Sequence, residues 1–106
     1  MAIEEITVDE LESALANGAR LIDVREASEY QEFRVPGAVH VPLGTVPEGL
    51  EAFAGDGPTY VICLAGSRSM RAREIVADAS GHHVINVAGG SRAWAESGRP
   101  IETGVA

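Results

Sequence analysis

The run Thr59-Tyr60-Val61-Ile62-Cys63-Leu64-Ala65-Gly66-Ser67-Arg68, with a helical pattern following from about Ser69, sets the architecture expected of this chain. The first four residues favour a buried strand, and Gly66 allows the chain to reverse within six residues. Strands that alternate with helices form a mainly parallel sheet, whose ligand sites lie beyond the carboxyl ends of the strands. Cys63 stands at such an end. A tight turn there aims successive N–H groups at the sulfur, and the helix behind it adds the positive end of its dipole. A thiol so placed loses its proton below its free pKa of about 8.5, and the thiolate is the nucleophile.

A free cysteine at a strand end is most often a small buried apolar residue. The local charge argues for more here. From Cys63 to Arg73 there are three arginines, Arg68, Arg71 and Arg73, and no acid, in a chain of net charge −8. The first turns of helices favour acids, so arginines there call for another reason, and an anionic ligand at the loop supplies one.

Working outward, residues 3–6 read as a short strand and Thr7-Val8-Asp9-Glu10 as a capping box. The helix it opens has Leu11 and Leu15 on one face and stops at Asn17-Gly18. Residues 20–24 form a buried strand, 27–33 a short helix, 39–41 a brief strand ended by Pro42, and 47–53 a weaker helical segment. After the loop, Ala72, Ile75, Val76 and Ala79 make a core-facing helical stripe. Residues 83–87 are the last strand, Gly89-Gly90 a sharp turn, and 91–97 a short helix stopped by Gly98 with Pro100 beyond.

With 106 residues and no repeat or linker, the expectation is one α/β domain over residues 1–106. The first five residues carry no basic region, and no apolar run approaches the roughly 18 residues of a membrane span, so the chain is expected to be soluble and cytoplasmic. All eight basic residues are arginines and the net charge is strongly negative, which disfavours nucleic acid or an anionic membrane as partner. A single cysteine makes no internal disulfide, and a reducing compartment keeps it usable.

Three stretches together resemble the single-domain rhodanese-like sulfurtransferases: Leu21-Ile22-Asp23-Val24-Arg25-Glu26 with Pro36-Gly37-Ala38 and Pro42; Cys63-x-x-Gly66-x-Arg68-Ser69; and Val87-x-Gly89-Gly90 with Trp94, Gly98 and Pro100. They cover residues 20–100 in the family's order and spacing. The resemblance implies a three-layer α/β/α sandwich around a mostly parallel five-stranded sheet, with Cys63 as the residue that becomes a persulfide. It implies thiosulfate, or a protein or low-molecular-weight persulfide, as sulfur donor. It also places Asp23 and Arg25 close beneath the active loop as its support.

The chemistry follows from the residues as well. Thiolate Cys63 attacks the outer sulfur of thiosulfate, sulfite leaves, and cyanide or an acceptor thiol, free or on a partner protein, removes the sulfur in a second displacement. The N–H groups of Leu64, Ala65, Gly66, Ser67 and Arg68 are placed to stabilise the terminal sulfur, and the Arg68 fork matches the sulfonate oxygens. Ser67 and Ser69 are secondary candidates, Ser67 also reading as the helix N-cap. His40, His82 and His83 have no metal-ligand spacing with Cys63, and an ionised thiol needs no base, so structural roles and no metal or organic cofactor are expected. Trp94 reads as a core anchor.

Two places depart from the family. Phe33-Arg34 stands where many relatives have Gly-His, with Arg34 expected to reach the same carboxylates, and the loop positions Leu64 and Ala65 are apolar, which suits a bulky donor or a partner protein. Three readings result: a sulfurtransferase; a persulfide carrier or protein-binding module; and a phosphatase or arsenate reductase of the related superfamily. Loop length bears on the last, because Cys-thiolate phosphatases close their cup with Cys-x5-Arg and this chain has Cys-x4-Arg, leaving less room for a tetrahedral oxyanion over the sulfur.

Overall fold

The computed structural model describes residues 4–104 and opens with strand β1 (Glu5–Ile6) and helix α1 (Val8–Ala16). Residue 3 of the expected first strand lies outside the described residues. The predicted capping box forms: Glu10 N–H donates to Thr7 Oγ1 at 3.2 Å and Thr7 N–H to Glu10 Oε1 at 3.0 Å. Strand β2 (Arg20–Asp23), helix α2 (Ala27–Glu32) and strand β3 (Val39–His40) follow. Strand β4 (Thr59–Ile62) leads into the loop, then come helix α3 (Ser67–Ser80), strand β5 (Val84–Val87) and helix α4 (Gly90–Glu96).

The five strands pair in parallel in the order β1-β5-β4-β2-β3. Successive side chains of a strand face opposite sides, and the two core clusters divide accordingly. Ile22, Val61 and Cys63 pack with Ala72 and Val76 of α3 and with Val46 and Phe53. Leu21, Ile62 and Val87 pack on the other face with Leu11 of α1, Tyr30 of α2 and Trp94 of α4. Helices thus cover both faces, as the sequence predicts, and the sulfur is committed to the face beneath α3.

Three local expectations change. The segment predicted as a helix over 47–53 is a pair of 3-10 turns, Leu43–Glu48 and Leu50–Phe53. Pro47 has no N–H to give to an i−4 carbonyl, and the bonds that form are short: Thr45 N–H to Pro42, Gly49 to Val46, and Ala52 to Gly49. Helix α3 starts two residues earlier than expected because Gly66 adopts φ +112° and is itself the N-cap, so Ser67 is exposed in the first turn and caps nothing. Ala79 is exposed, the buried face of α3 being Ser69, Ala72 and Val76.

Candidate active site

Cys63 follows β4 directly and is only 1 % exposed. The turn at Gly66 brings its N–H to 3.0 Å from Cys63 Sγ, and Ser69 Oγ in the first turn of α3 lies 3.3 Å from it. Burial pushes the thiol pKa up, but hydrogen bonding from the Ser69 hydroxyl, when its O–H is turned to the sulfur, and from the N–H groups of Ser69, Gly66 and Ala65 outweighs it, so the thiol is held below its ordinary value. Of the loop amides expected to face the sulfur, those of Gly66 and Ala65 bond it, joined by that of Ser69 in α3.

The outer side of the loop is held as firmly. Ser91 N–H and Oγ–H both donate to the Cys63 carbonyl, at 2.8 and 3.0 Å, and Arg92 N–H donates to the Leu64 carbonyl at 3.0 Å. This seating depends on Gly90, which has φ +63°: a Cβ there would come within 2.5 Å of the Cys63 and Leu64 carbonyl oxygens. The Gly89-Gly90 pair thus lets α4 lie against the backbone of the loop.

Arg68 is placed otherwise than expected. Its fork is closed on Glu29 of α2, with Nη1 to Oε1 at 2.6 Å and Nη2 to Oε2 at 2.8 Å. Bonding to Arg68 lowers the Glu29 pKa to about 2, against a partial opposition from burial. The contribution of this pair to stability is therefore complete above the usual carboxylate value of 4.5 and is lost as the pH falls through about 2. The other two arginines turn elsewhere: Arg71 pairs with Glu74, and Arg73 donates to the Val84 carbonyl at 3.1 Å. Among the three, the charge at the loop is that of Arg68 alone, and it is already paired.

Asp23 and Arg25 are both fully buried and paired, Arg25 Nη2 lying 2.8 Å from Asp23 Oδ2 and 2.6 Å from the Phe33 carbonyl. They fasten the end of β2 to the turn after α2. Their tie to the loop runs through the backbone: Asp23 is in register with Ile62, and Val24 N–H donates to the Ile62 carbonyl at 3.0 Å. Arg34 does not reach these carboxylates. Its guanidinium lies over the Tyr30 ring and donates to the carbonyls of Tyr30 and Gly104, while Glu102 is its acidic neighbour at 3.6 Å. His40 stacks on Tyr30 and bonds the Arg25 carbonyl at 2.7 Å, and His83 pairs with Glu4. Trp94 is buried and donates from Nε1 to the Pro100 carbonyl at 2.8 Å.

The model of the Rhodanese-like domain matches residues 7–97 of this sequence. The chain belongs to the rhodanese-like family. YtwF of Bacillus subtilis, provisionally named a sulfurtransferase, is 36 % identical over 102 residues, which cover 94 % of this chain and 98 % of that protein. The thiosulfate sulfurtransferase GlpE of Actinobacillus succinogenes is 31 % identical over 104 residues, covering 97 % and 94 % of the two chains. A crystal structure of a rhodanese-like domain protein from Staphylococcus aureus superposes with a TM-score of 0.84 at 31 % identity, covering 97 % of this chain and all of that one.

Within this rhodanese-like chain, three residues at the site carry no expectation from sequence, Glu29, Ser91 and Asn86, and a fourth, Gly90, carries only part of its role. Glu29 sits among other acids on an exposed-looking helix and gave no signal. Gly90 was read as a turn, without the carbonyls it must approach. Asn86 had a signal, as a polar residue inside the apolar strand Val84-Ile85-Asn86-Val87, and it is 1 % exposed.

Proposed function

We propose that the protein is a sulfurtransferase in which Cys63 takes the outer sulfur from thiosulfate or a persulfide and passes it to cyanide or a thiol. The observation that carries this reading is a buried sulfur at the base of a six-residue loop, bonded by the Gly66 N–H at 3.0 Å and held below its ordinary pKa. In the first displacement Cys63 S⁻ forms an S–S bond to the sulfane sulfur of thiosulfate, whose own S–S bond breaks, and sulfite leaves with the electron pair. In the second, cyanide or an acceptor thiolate takes the outer sulfur and returns Cys63 as thiolate. Negative charge moves outward by one atom in the intermediate, toward the amides of residues 64–68. The names of YtwF and GlpE support the activity, and GlpE supports thiosulfate as donor. Leu64 and Ala65, half-buried and exposed, form the rim that a donor or an acceptor protein meets.

Mass spectrometry of the whole protein before and after thiosulfate tests the reading: one added sulfur on Cys63, removed by cyanide, is expected. An unchanged mass with a fully reduced thiol would remove it.

The Glu29 pairing alters the part given to Arg68. A sulfonate can use the fork only by displacing a carboxylate tethered beside it. Glu29→Gln is therefore expected to lower the KM for thiosulfate by about two- to five-fold, the range of a partly exposed ion pair. The rate with an uncharged persulfide donor should stay as it was. A KM for thiosulfate that is unchanged or higher in Glu29→Gln would mean that Arg68 shapes the loop and does not hold the donor.

A further inference from the structure

The register of the sheet sets Asn86 of β5 between Val61 of β4 and Glu5 of β1. Val61 faces α3, as does Cys63 two residues beyond it, so the row Val61, Asn86 and Glu5 runs along the sheet face on which the sulfur lies. A chain of polar contacts joins this row to the sulfur. Asn86 Nδ2–H donates to Glu5 Oε2 at 3.1 Å, Ser69 Oγ lies 2.5 Å from Asn86 Oδ1, and the same Oγ lies 3.3 Å from Cys63 Sγ.

Donor and acceptor roles along this chain are forced. An ionised carboxylate only accepts, so the amide must turn its NH2 toward Glu5 and its oxygen toward Ser69. That oxygen also only accepts, so Ser69 must give it the single hydroxyl proton. The remaining contact of Ser69 Oγ, with the Gly66 carbonyl at 3.1 Å, is to another acceptor. What the hydroxyl then offers the sulfur is a lone pair, which complements a thiol S–H and opposes an anionic sulfur. For Ser69 to donate to a thiolate or persulfide anion, its O–H must turn away from Asn86.

We infer that Glu5 and Asn86 are positioning residues for the reactive sulfur: by engaging the Ser69 hydroxyl proton they restrain the side-chain donor that reaches Cys63 Sγ, and so limit how readily the anionic sulfur forms. The inference rests on the role proposed above for Cys63. Both residues act through Ser69, and neither touches the reacting atom. An amide exchanges no proton with its neighbours under these conditions, so the row orients a hydroxyl and is not a proton path. Of the charged groups on the elements around Cys63, Arg68 of α3 is paired with Glu29 of α2 and Asp23 with Arg25 at the end of β2, Arg71 of α3 turns to Glu74 and Arg73 to the Val84 carbonyl, and Asp78 of α3 and Arg92 and Glu96 of α4 are exposed.

Titration of the full-length protein by thiolate absorbance tests this, with Arg68, Glu29, Asp23 and Arg25 left in place. Glu5→Asp keeps the charge but withdraws the carboxylate from Asn86, whereas Glu5→Gln removes the charge and allows the amide to turn round. In both, the Cys63 midpoint is expected to fall by about 0.5–1 pH unit, the equivalent of one hydrogen bond released to the sulfur. In an Asn86→Ala background, Glu5→Asp should add no further fall. A midpoint that falls with Glu5→Gln and stays fixed with Glu5→Asp would show that only the charge acts and would overturn the inference. So would a midpoint that rises or stays in all the variants. Glu5 is exposed, so Glu5→Asp can be read on a folded protein, checked by circular dichroism, even where Asn86→Ala does not fold. Because the titration reads the sulfur itself, failure of the unaltered protein to take sulfur from thiosulfate would remove the proposed function without altering this result.

Discussion

Cys63→Ser is expected to fold with an unchanged Tm and to lose sulfur transfer by on the order of 10³-fold or more, the scale seen when a covalent nucleophile is removed. The fold should survive because a hydroxyl is close in size to a thiol and finds the Gly66 N–H and Ser69 Oγ already in place, at 3.0 and 3.3 Å from the atom it replaces. The reaction should not survive, because these hydrogen bonds hold the thiol pKa below its ordinary value, whereas a serine hydroxyl starts many units higher and does not ionise in the same cup. Formation of thiocyanate from thiosulfate and cyanide is the rate to follow, with mass spectrometry showing no added sulfur. Thiocyanate formation retained within ten-fold in Cys63→Ser would take the chemistry away from this loop.

Gly90→Ala should be the most damaging change that leaves every catalytic atom untouched. The new methyl would lie 2.5 Å from two carbonyl oxygens and 2.6 Å from a carbonyl carbon, all of them backbone, so no side chain can swing aside. The positive φ adds its own strain. To relieve the clash α4 must lift from the loop, which breaks the bonds from Ser91 to Cys63 and from Arg92 to Leu64. A loss of about 2–5 kcal/mol is expected from overpacking and strain together, or a fall in Tm of roughly 10 °C or more. Gly98→Ala is the control, since Gly98 has φ +83° but nothing within 4 Å of its absent Cβ, and so carries the strain without the clash. If Gly90→Ala proves no less stable than Gly98→Ala, the seating of α4 on the loop is not what holds it.

The alternation of strands and helices was legible because periodicity is a local property. Thr7-x-x-Glu10 marked its cap, Val84 to Val87 its strand, and the run into Cys63 its place at the end of the sheet. What escaped was set by pairs distant in sequence. Arg68 could be seen as a charge near an anion site, but not that Glu29, thirty-nine positions earlier, would close on it. The concentration of arginines after Cys63 was likewise real but misleading, since helical spacing sends Arg71 to Glu74 and Arg73 to the Val84 carbonyl. Pro47 gave no warning of the 3-10 turns, because proline is well suited to open an α-helix and becomes an interior residue only when the turn starts at Leu43. Ser67 failed as a cap for a reason written three positions before α3's expected start, in the glycine whose positive φ begins the helix early.

The near-complete burial of Cys63 bears on how cargo is handed over. The sulfur of a cysteine only 1 % exposed is out of reach of any acceptor too broad to enter a six-residue loop. Loading it with a second sulfur moves the transferable atom outward by one S–S bond, about 2 Å. On the proposed reaction the empty and loaded forms therefore differ at the rim formed by Leu64 and Ala65, where the loaded form adds an anionic, polarisable sulfur to an apolar edge. On that reaction an acceptor docking at the rim would meet a different surface on the full carrier than on the spent one.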